Sequence, residues 1–180
     1  MKMKNSKAQI WVETAVYTAI GLAIIGIVLA VALPAVGRWK DKTLIEQTAS
    51  ALNTLNDKIL EVRESSGNVR TVEFRIKKGV LTIRPSENEI VYVLEGSDLE
   101  YSQPDLEVEL GDIRIKTATN GKKYDISLKL SYQDKNIDLT YDSNNEEKIL
   151  QKTPIPYKLS ISNEEIIDTN SRIDIKEVSG

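Results

Sequence analysis

The pattern of apolar and polar positions divides the chain into three parts. From Thr14 to Gly37 no residue is charged. From position 40 to 66 apolar or small residues recur at intervals of three and four, and from Asn68 onward apolar and polar residues alternate. The first pattern predicts a helix that is apolar all round, the second predicts an amphipathic helix, and the third predicts a series of β-strands.

The apolar run is long enough to cross a membrane. Its 24 positions, 14–37, make a helix of roughly 36 Å, against a hydrocarbon core of about 30 Å. Trp11 and Trp39 bracket the run and lie roughly 42 Å apart along such a helix, which matches the spacing of the two interfacial zones of a bilayer. We therefore predict a transmembrane or filament-core segment over 14–37. The alternative is a buried core helix of a soluble protein.

Small residues form a stripe along one side of this segment. Their spacing of 4, 4, 3 and 4 keeps them on one face of a helix. Such a stripe allows a second helix to approach closely, so we predict that these positions pack against other helices. The stripe consists of Ala15, Ala19, Ala23, Gly26 and Ala30.

The helix is expected to continue beyond Pro34 with a different character. Proline lacks the backbone N–H that an interior helical position donates, which predicts a kink near Pro34. In the amphipathic part, 40–66, one narrow apolar seam repeats at intervals of 3 and 4. Gly67 and Asn68 form a plausible helix stop, so the long N-terminal helix is placed at 9–67. The seam residues are Ile45, Thr48, Leu52, Leu55, Ile59 and Val62.

The remainder, 68–180, is predicted to form a β-rich head. Nine or ten short alternating segments are separated by turn residues, among them Pro85 and the hairpin signal Asn120-Gly121. We assign the chain to the α+β class, with a long helix followed by an antiparallel all-β head, most simply a β-sandwich. The head is expected to fold on its own from Asn68. If the helical seam covers the sheet, however, the folding unit instead starts near Lys40.

Composition argues against several kinds of function. The chain has no Cys and no His and a net charge of −3. Disulfides, thiolate catalysis, Cys-ligated zinc and His-based dyads are thereby excluded, and no basic tract suggests a nucleic-acid partner. We expect a protein that is not an enzyme and needs no cofactor or metal, although Asp, Glu, Lys and Tyr leave other catalysis open.

The segment Asp142–Glu147 concentrates oxygen ligands. Asp142, Asn144 and Glu146 at alternate positions are similar to a calcium loop, but the Gly of the sharp turn and the distal Glu are absent. A polar loop without a metal is the simpler interpretation, and cation binding stays open.

The N-terminal residues resemble a known targeting signal. A short leader containing Lys2, Lys4 and Lys7, then Ala8-Gln9, an acid at the fifth position from Gln9, and a long apolar helix resemble the class III signal peptide of archaeal type IV pilins. The resemblance covers residues 1–37. It implies that a prepilin peptidase removes the leader 1–8 by cutting between Ala8 and Gln9, and that Gln9 and Glu13 take part in assembly.

The same resemblance implies a function and a location. The chain would be a structural subunit of a cell-surface filament, a homo-oligomer joined through its helices, with a prepilin peptidase and membrane assembly machinery as partners. Before assembly it would lie in the membrane with an extracellular head. The alternatives are a minor or adhesive pilin and a single-pass anchored extracellular domain that does not polymerise. The basic residues on the two sides of the apolar run nearly balance, so charge alone leaves the orientation open.

Glu13 has a physical role in this scheme. Cleavage would free an α-amino group on Gln9, with a pKa of about 7.7–8.0. A carboxylate in an apolar core is costly unless it is paired, and a neighbour's ammonium would offset that cost and set the stagger between subunits. Gln9 and Glu13 are also four residues apart, so the pair can form within one chain. An acid at headgroup level is the simpler alternative.

Overall fold

The computed structural model describes residues 6–167 and 169–178. One helix, α1, spans Ser6–Arg63 and is followed by ten strands and a short 3-10 turn at Pro85–Glu87. The strands are β1 Val69–Phe74, β2 Val80–Arg84, β3 Glu89–Ser97, β4 Glu107–Leu110, β5 Ile113–Asn120, β6 Lys123–Ser131, β7 Ile137–Tyr141, β8 Lys148–Gln151, β9 Tyr157–Ile167 and β10 Asn170–Glu177. A long apolar N-terminal helix and a β-rich head are thus confirmed.

Helix α1 differs from its expected bounds at both ends. It begins at Ser6, inside the expected leader, and ends at Arg63 rather than at 67. It ends early because the following residues form a turn in which Gly67 has φ +83° and donates its N–H to the carbonyl of Asn163. The helix continues through Pro34, where proline cannot donate a hydrogen bond to Ala30.

The strands form two open sheets. One has four strands in the order β1-β9-β10-β7, and the other has six in the order β4-β5-β6-β3-β2-β8. All named pairs are antiparallel except β7 and β10, which run parallel. The antiparallel sandwich expected from sequence is therefore not confirmed: the head is a mostly antiparallel pair of open sheets. Alternation along each strand fixes which side chains face the core, but it does not fix strand direction or partner.

The second half of α1 fills the core between strands of both sheets. It packs against β1, β9 and β10 of the four-stranded sheet and against β5 and β6 of the six-stranded sheet. The large apolar residues of the seam are all fully buried: Ile45, Leu52, Leu55, Ile59 and Val62. Burying one such side chain stabilises a fold by about 1.5–3 kcal/mol, so the five contribute on the order of 10 kcal/mol. The head and this half of the helix share one core.

Candidate membrane-anchoring and assembly surface

The first half of α1 presents a continuous apolar surface. It contains the one helix segment, among the described residues, that is long and apolar enough to cross a membrane, and none of its most apolar window is buried. Large apolar side chains between Ile10 and Trp39 are exposed, from 48% at Val36 to 78% at Trp11. Apolar surface of this extent is unfavourable in water, so this half of α1 needs lipid or other protein around it.

The stripe of small residues lies open on this surface. Ala15, Ala19, Ala23, Gly26 and Ala30 are all exposed, and no atom lies within 4 Å of the position that a Cβ on Gly26 would occupy. At 3.6 residues per turn, the stripe falls on the same side of α1 as the seam that enters the head. A helix packed on the stripe would therefore approach from the side on which the head sits.

The residues implied by the leader resemblance lie at the start of α1. Ala8 and Gln9 belong to its first turns, but their side chains are outside the described residues. Glu13 is exposed one turn after Gln9. Pro34 is also exposed, shortly before the helix reaches the head. The structure thus places Glu13 and the stripe on one accessible segment, on different sides of the same helix.

Asp41 joins the exposed half of α1 to the head. It is 8% exposed. One carboxylate oxygen accepts hydrogen bonds from the Ser97 hydroxyl at 2.8 Å and the Asp98 backbone N–H at 3.3 Å, and the other lies 3.1 Å from Lys78 Nζ. Burial by itself would raise the pKa of Asp41, but the hydrogen bonds from Ser97 and Lys78 together lower it below its ordinary value. The carboxylate is therefore held in its charged form.

Several loops of the head converge on this point. The β1–β2 turn contributes Lys78, whose carbonyl accepts a 2.5 Å hydrogen bond from Tyr92. Gly79 in that turn has φ +81°, and a Cβ there would lie 2.4 Å from the carbonyl oxygen of Val93, so only glycine fits. The segment after β3 contributes Asp98, which pairs with Lys123 of the β5–β6 hairpin. These loops therefore mark the end of the head nearest the apolar segment.

The sequence does indicate that Asp41 is buried, but a search for apolar positions alone misses it because Asp41 is charged. Asp41 precedes Ile45 by four residues and so extends the seam by one step. An acid in phase with a buried stripe predicts a polar partner in the head. Which loop supplies that partner depends on contacts across 56 or 57 residues, and no local pattern indicates them.

The far end of α1 is also held by side chains of the head. Asn163 Nδ2 lies 3.2 Å from the carbonyl oxygens of both Val62 and Arg63, and the Ser171 hydroxyl donates to Arg63 at 3.3 Å. The last carbonyls of a helix have no partner within the helix. Strands β9 and β10 supply the missing donors, so α1 is fixed to the head at both ends of its buried half.

The segment Asp142–Glu147 is tied to the protein itself. Asp142 donates its backbone N–H to Ile175, and Ser143 donates its own to the carboxylate of Asp174. Asp142 and Ser143 adopt left-handed conformations with φ of 50° and 59°. Among the described residues no group of three or more acids is placed to hold a metal ion.

Comparison with known proteins supplies no relative. No family model, curated protein or solved structure matches this chain. The function proposed below therefore rests on the residues and geometry of this chain and on the resemblance of its N-terminal residues to a targeting signal.

Proposed function

We propose that this protein is a structural subunit of an archaeal type IV pilus-like filament. The apolar half of α1 anchors the chain in the membrane before assembly and packs against the helices of other copies afterwards. The observation that carries the proposal is that this half is exposed, bears a small-residue stripe and continues without a break into a helix whose apolar seam is buried in the head. The leader resemblance supplies the kind of assembly.

The geometry supports helix-driven assembly in a specific way. Because the second half of α1 is buried and fixed at both ends, the exposed half projects from the head as one element. Helices packed along their small-residue stripes would bury the apolar side chains that a soluble monomer leaves in water. Because the stripe lies on the head side of α1, such packing requires subunits that are staggered along the filament, so that each head clears the helix of its neighbour.

The first test is the start of the mature protein. We expect native protein, purified from cells, to begin at Gln9, because the peptidase implied by the resemblance cuts after Ala8. N-terminal sequencing or intact-mass analysis measures this directly. A chain that begins at Met1, or beyond Gly37, would contradict the proposal.

The second test is Glu13→Gln, which removes the charge and keeps the shape. If Glu13 pairs with the α-amino group of a neighbouring Gln9, each mutant subunit buries an ammonium without its partner. Breaking one side of a buried pair costs about 3–5 kcal/mol, and the loss recurs at every subunit. We expect normal processing and insertion but few long filaments, measured by electron microscopy beside the processed pool in the membrane.

Glu46→Gln is the matched control, because Glu46 is an exposed acid on the half of α1 that carries the head. It should leave filament yield unchanged. Normal filaments from Glu13→Gln would show that the acid serves only at headgroup level. Loss of processing would place its role in peptidase recognition. An anchored domain that does not polymerise would give processed protein and no filaments even in the wild type.

A further inference from the structure

An open groove lies where α1 leaves its apolar segment and meets the head. Its volume is about 830 Å³, and it is bounded by α1 from Ala35 to Gln47 and by the β1–β2 turn. Its lining includes the apolar residues Ala35, Val36 and Leu44, here called the apolar floor, and the basic residues Lys40, Lys77 and Lys78, here called the basic rim. The groove thus combines an apolar floor, which continues the apolar segment of α1, with a basic rim.

Basic residues are concentrated around this groove although the chain as a whole is acidic. Six of them lie on α1 just beyond the apolar run or on the loops that meet it: Arg38, Lys40, Lys42, Lys77, Lys78 and Lys123. Three lysines line the groove itself, Lys40, Lys77 and Lys78, together with one acid, Asp41, which pairs with Lys78. A positive surplus therefore remains on a chain whose net charge is −3.

Two rim lysines are held in place by the protein. Lys77 donates to the side-chain oxygen of Gln47 at 2.8 Å, and Lys78 is fixed by Asp41 at 3.1 Å. Both side chains are exposed, that of Lys78 by 48%, so each retains N–H donors for a ligand. The rim is thus arranged in advance for an anion.

Trp39 sets the depth of the groove relative to a membrane. It lies two residues after the uncharged run, lines the groove and is 77% exposed. Tryptophan at the end of a spanning helix favours the headgroup level of a bilayer. When positions 14–37 span the membrane, the basic rim lies at the level of the lipid phosphates, and the apolar floor faces the first part of the lipid hydrocarbon chains.

We propose that this groove binds an acidic phospholipid, with its phosphate at Lys40, Lys77 and Lys78 and with its glycerol and the first part of its hydrocarbon chain against Ala35 and Val36. A second copy of the chain is disfavoured as the occupant, because it would bring the same positive surface to the same level. The inference rests on the membrane-anchoring part of the proposed function and not on filament assembly.

The test uses the full chain with Trp11→Phe, so that Trp39 is the only tryptophan, at one copy per nanodisc. Quenching of Trp39 is measured against the mole fraction of brominated phosphatidylglycerol in phosphatidylcholine, and of brominated phosphatidylcholine in the same background. We expect the acidic lipid to associate preferentially, and high salt to reduce the preference. Each juxtamembrane lysine adds about 1 kcal/mol of attraction to an acidic surface, so Lys40→Gln with Lys77→Gln should lower the preference by about fivefold for each lysine.

Two further variants isolate the site from overall charge and folding. Lys58→Gln with Lys148→Gln removes the same charge far from the groove and should keep the full preference. Lys40→Arg with Lys77→Arg keeps the charge and should keep most of it. Loss of preference in this arginine variant would point to packing rather than to charge, and would overturn the assignment.

The remaining outcomes separate the inference from the proposed function. Equal quenching by the two brominated lipids would overturn lipid selectivity while leaving anchoring intact. Absence of quenching by either lipid would show that Trp39 does not reach the bilayer, and the anchoring itself would fail. A preference that disappears when two copies share a disc would assign the groove to a neighbouring subunit and overturn the lipid as its occupant.

Discussion

The two halves of α1 have the same backbone conformation and opposite surroundings. Leu22 in the first half is 65% exposed, whereas Leu52 in the second half is fully buried. In the second half one seam is apolar and meets two sheets; in the first half apolar residues cover every side and remain exposed. Helix formation therefore does not decide the role of either half. The distribution of side chains around the axis does.

The change between the two halves takes place within one turn. Trp39 is 77% exposed and Asp41 is 8% exposed. Asp41 is the first residue of α1 that the head encloses, and charged and polar groups hold it there. The junction between the apolar segment and the head is thus a polar contact at the end of the apolar core.

The largest expected effect comes from separating the head from the buried half of α1. A fragment of residues 68–180 loses the seam, whose burial is worth on the order of 10 kcal/mol, about the whole stability of an ordinary domain. We expect this fragment to aggregate or remain unfolded, and a fragment of residues 40–180 to be a folded soluble monomer. Amide dispersion in NMR spectra and sedimentation distinguish the two. A well-folded 68–180 fragment would show that the seam is not part of the core.

The second prediction compares how the same substitution, Leu to Ala, changes the stability of the head when it is made in each half of α1. Leu52→Ala should destabilise the head by about 2–5 kcal/mol, because it leaves a cavity in a closed core. Leu22→Ala, in the exposed half, should leave the unfolding of the head unchanged. Thermal melts of the full chain in detergent micelles, followed by circular dichroism of the β-structure, measure both. Equal shifts would mean that the two halves are not energetically separate.

The smallest effect concerns the junction and depends on pH. Asp41→Asn keeps an oxygen that accepts hydrogen bonds but removes the charge, and should destabilise the fold at pH 7 by about 1–2 kcal/mol, the difference between charge-assisted and neutral hydrogen bonds. Because the folded pKa of Asp41 is lowered, its contribution is present above the unfolded pKa of about 3.9 and is lost as pH falls through the folded pKa.

The difference between wild type and Asp41→Asn should therefore shrink below about pH 4. Denaturant unfolding of both proteins between pH 7 and pH 3 checks this. Asp105→Asn is the control, since Asp105 is 79% exposed and its pairing with Lys116 is a surface contact of about 0–1 kcal/mol at most. A pH-independent difference would assign the role of Asp41 to its shape rather than to its charge.

Much of the architecture could be predicted from the local periodicity of the sequence. The uncharged run predicted the apolar half of α1, and intervals of three and four predicted the seam that the structure buries. Alternation predicted a β-rich head, and Asn120-Gly121 predicted the β5–β6 hairpin, in which Asn120 pairs with Lys123. Each of these features depends on neighbouring residues, because the helical and strand periods are properties of the local backbone.

Only part of the candidate anchoring and assembly surface could be predicted from the sequence. The stripe and Glu13 follow from spacing and from a resemblance, and their part in assembly stays a prediction. The basic groove was not readable, because it joins residues near position 40 to a turn at position 78. The sequence shows Arg38, Lys40 and Lys42 as a basic end to the apolar run. It shows Lys77 and Lys78 only as part of a distant turn, and their proximity to α1 is a result of the fold.

Local pattern along the chain was enough to locate the change of α1 from apolar to amphipathic and to show that strands follow it. Three-dimensional packing was needed to make β7 and β10 parallel, to leave the sheets open, and to bring Asn163 to the end of a helix 100 residues earlier. The physical reason is that side-chain periodicity specifies which face of an element is buried, whereas its partner depends on how the whole chain closes around one core. Asp41 shows the difference: its phase on the helix was in the sequence, and the loops that hold it were not.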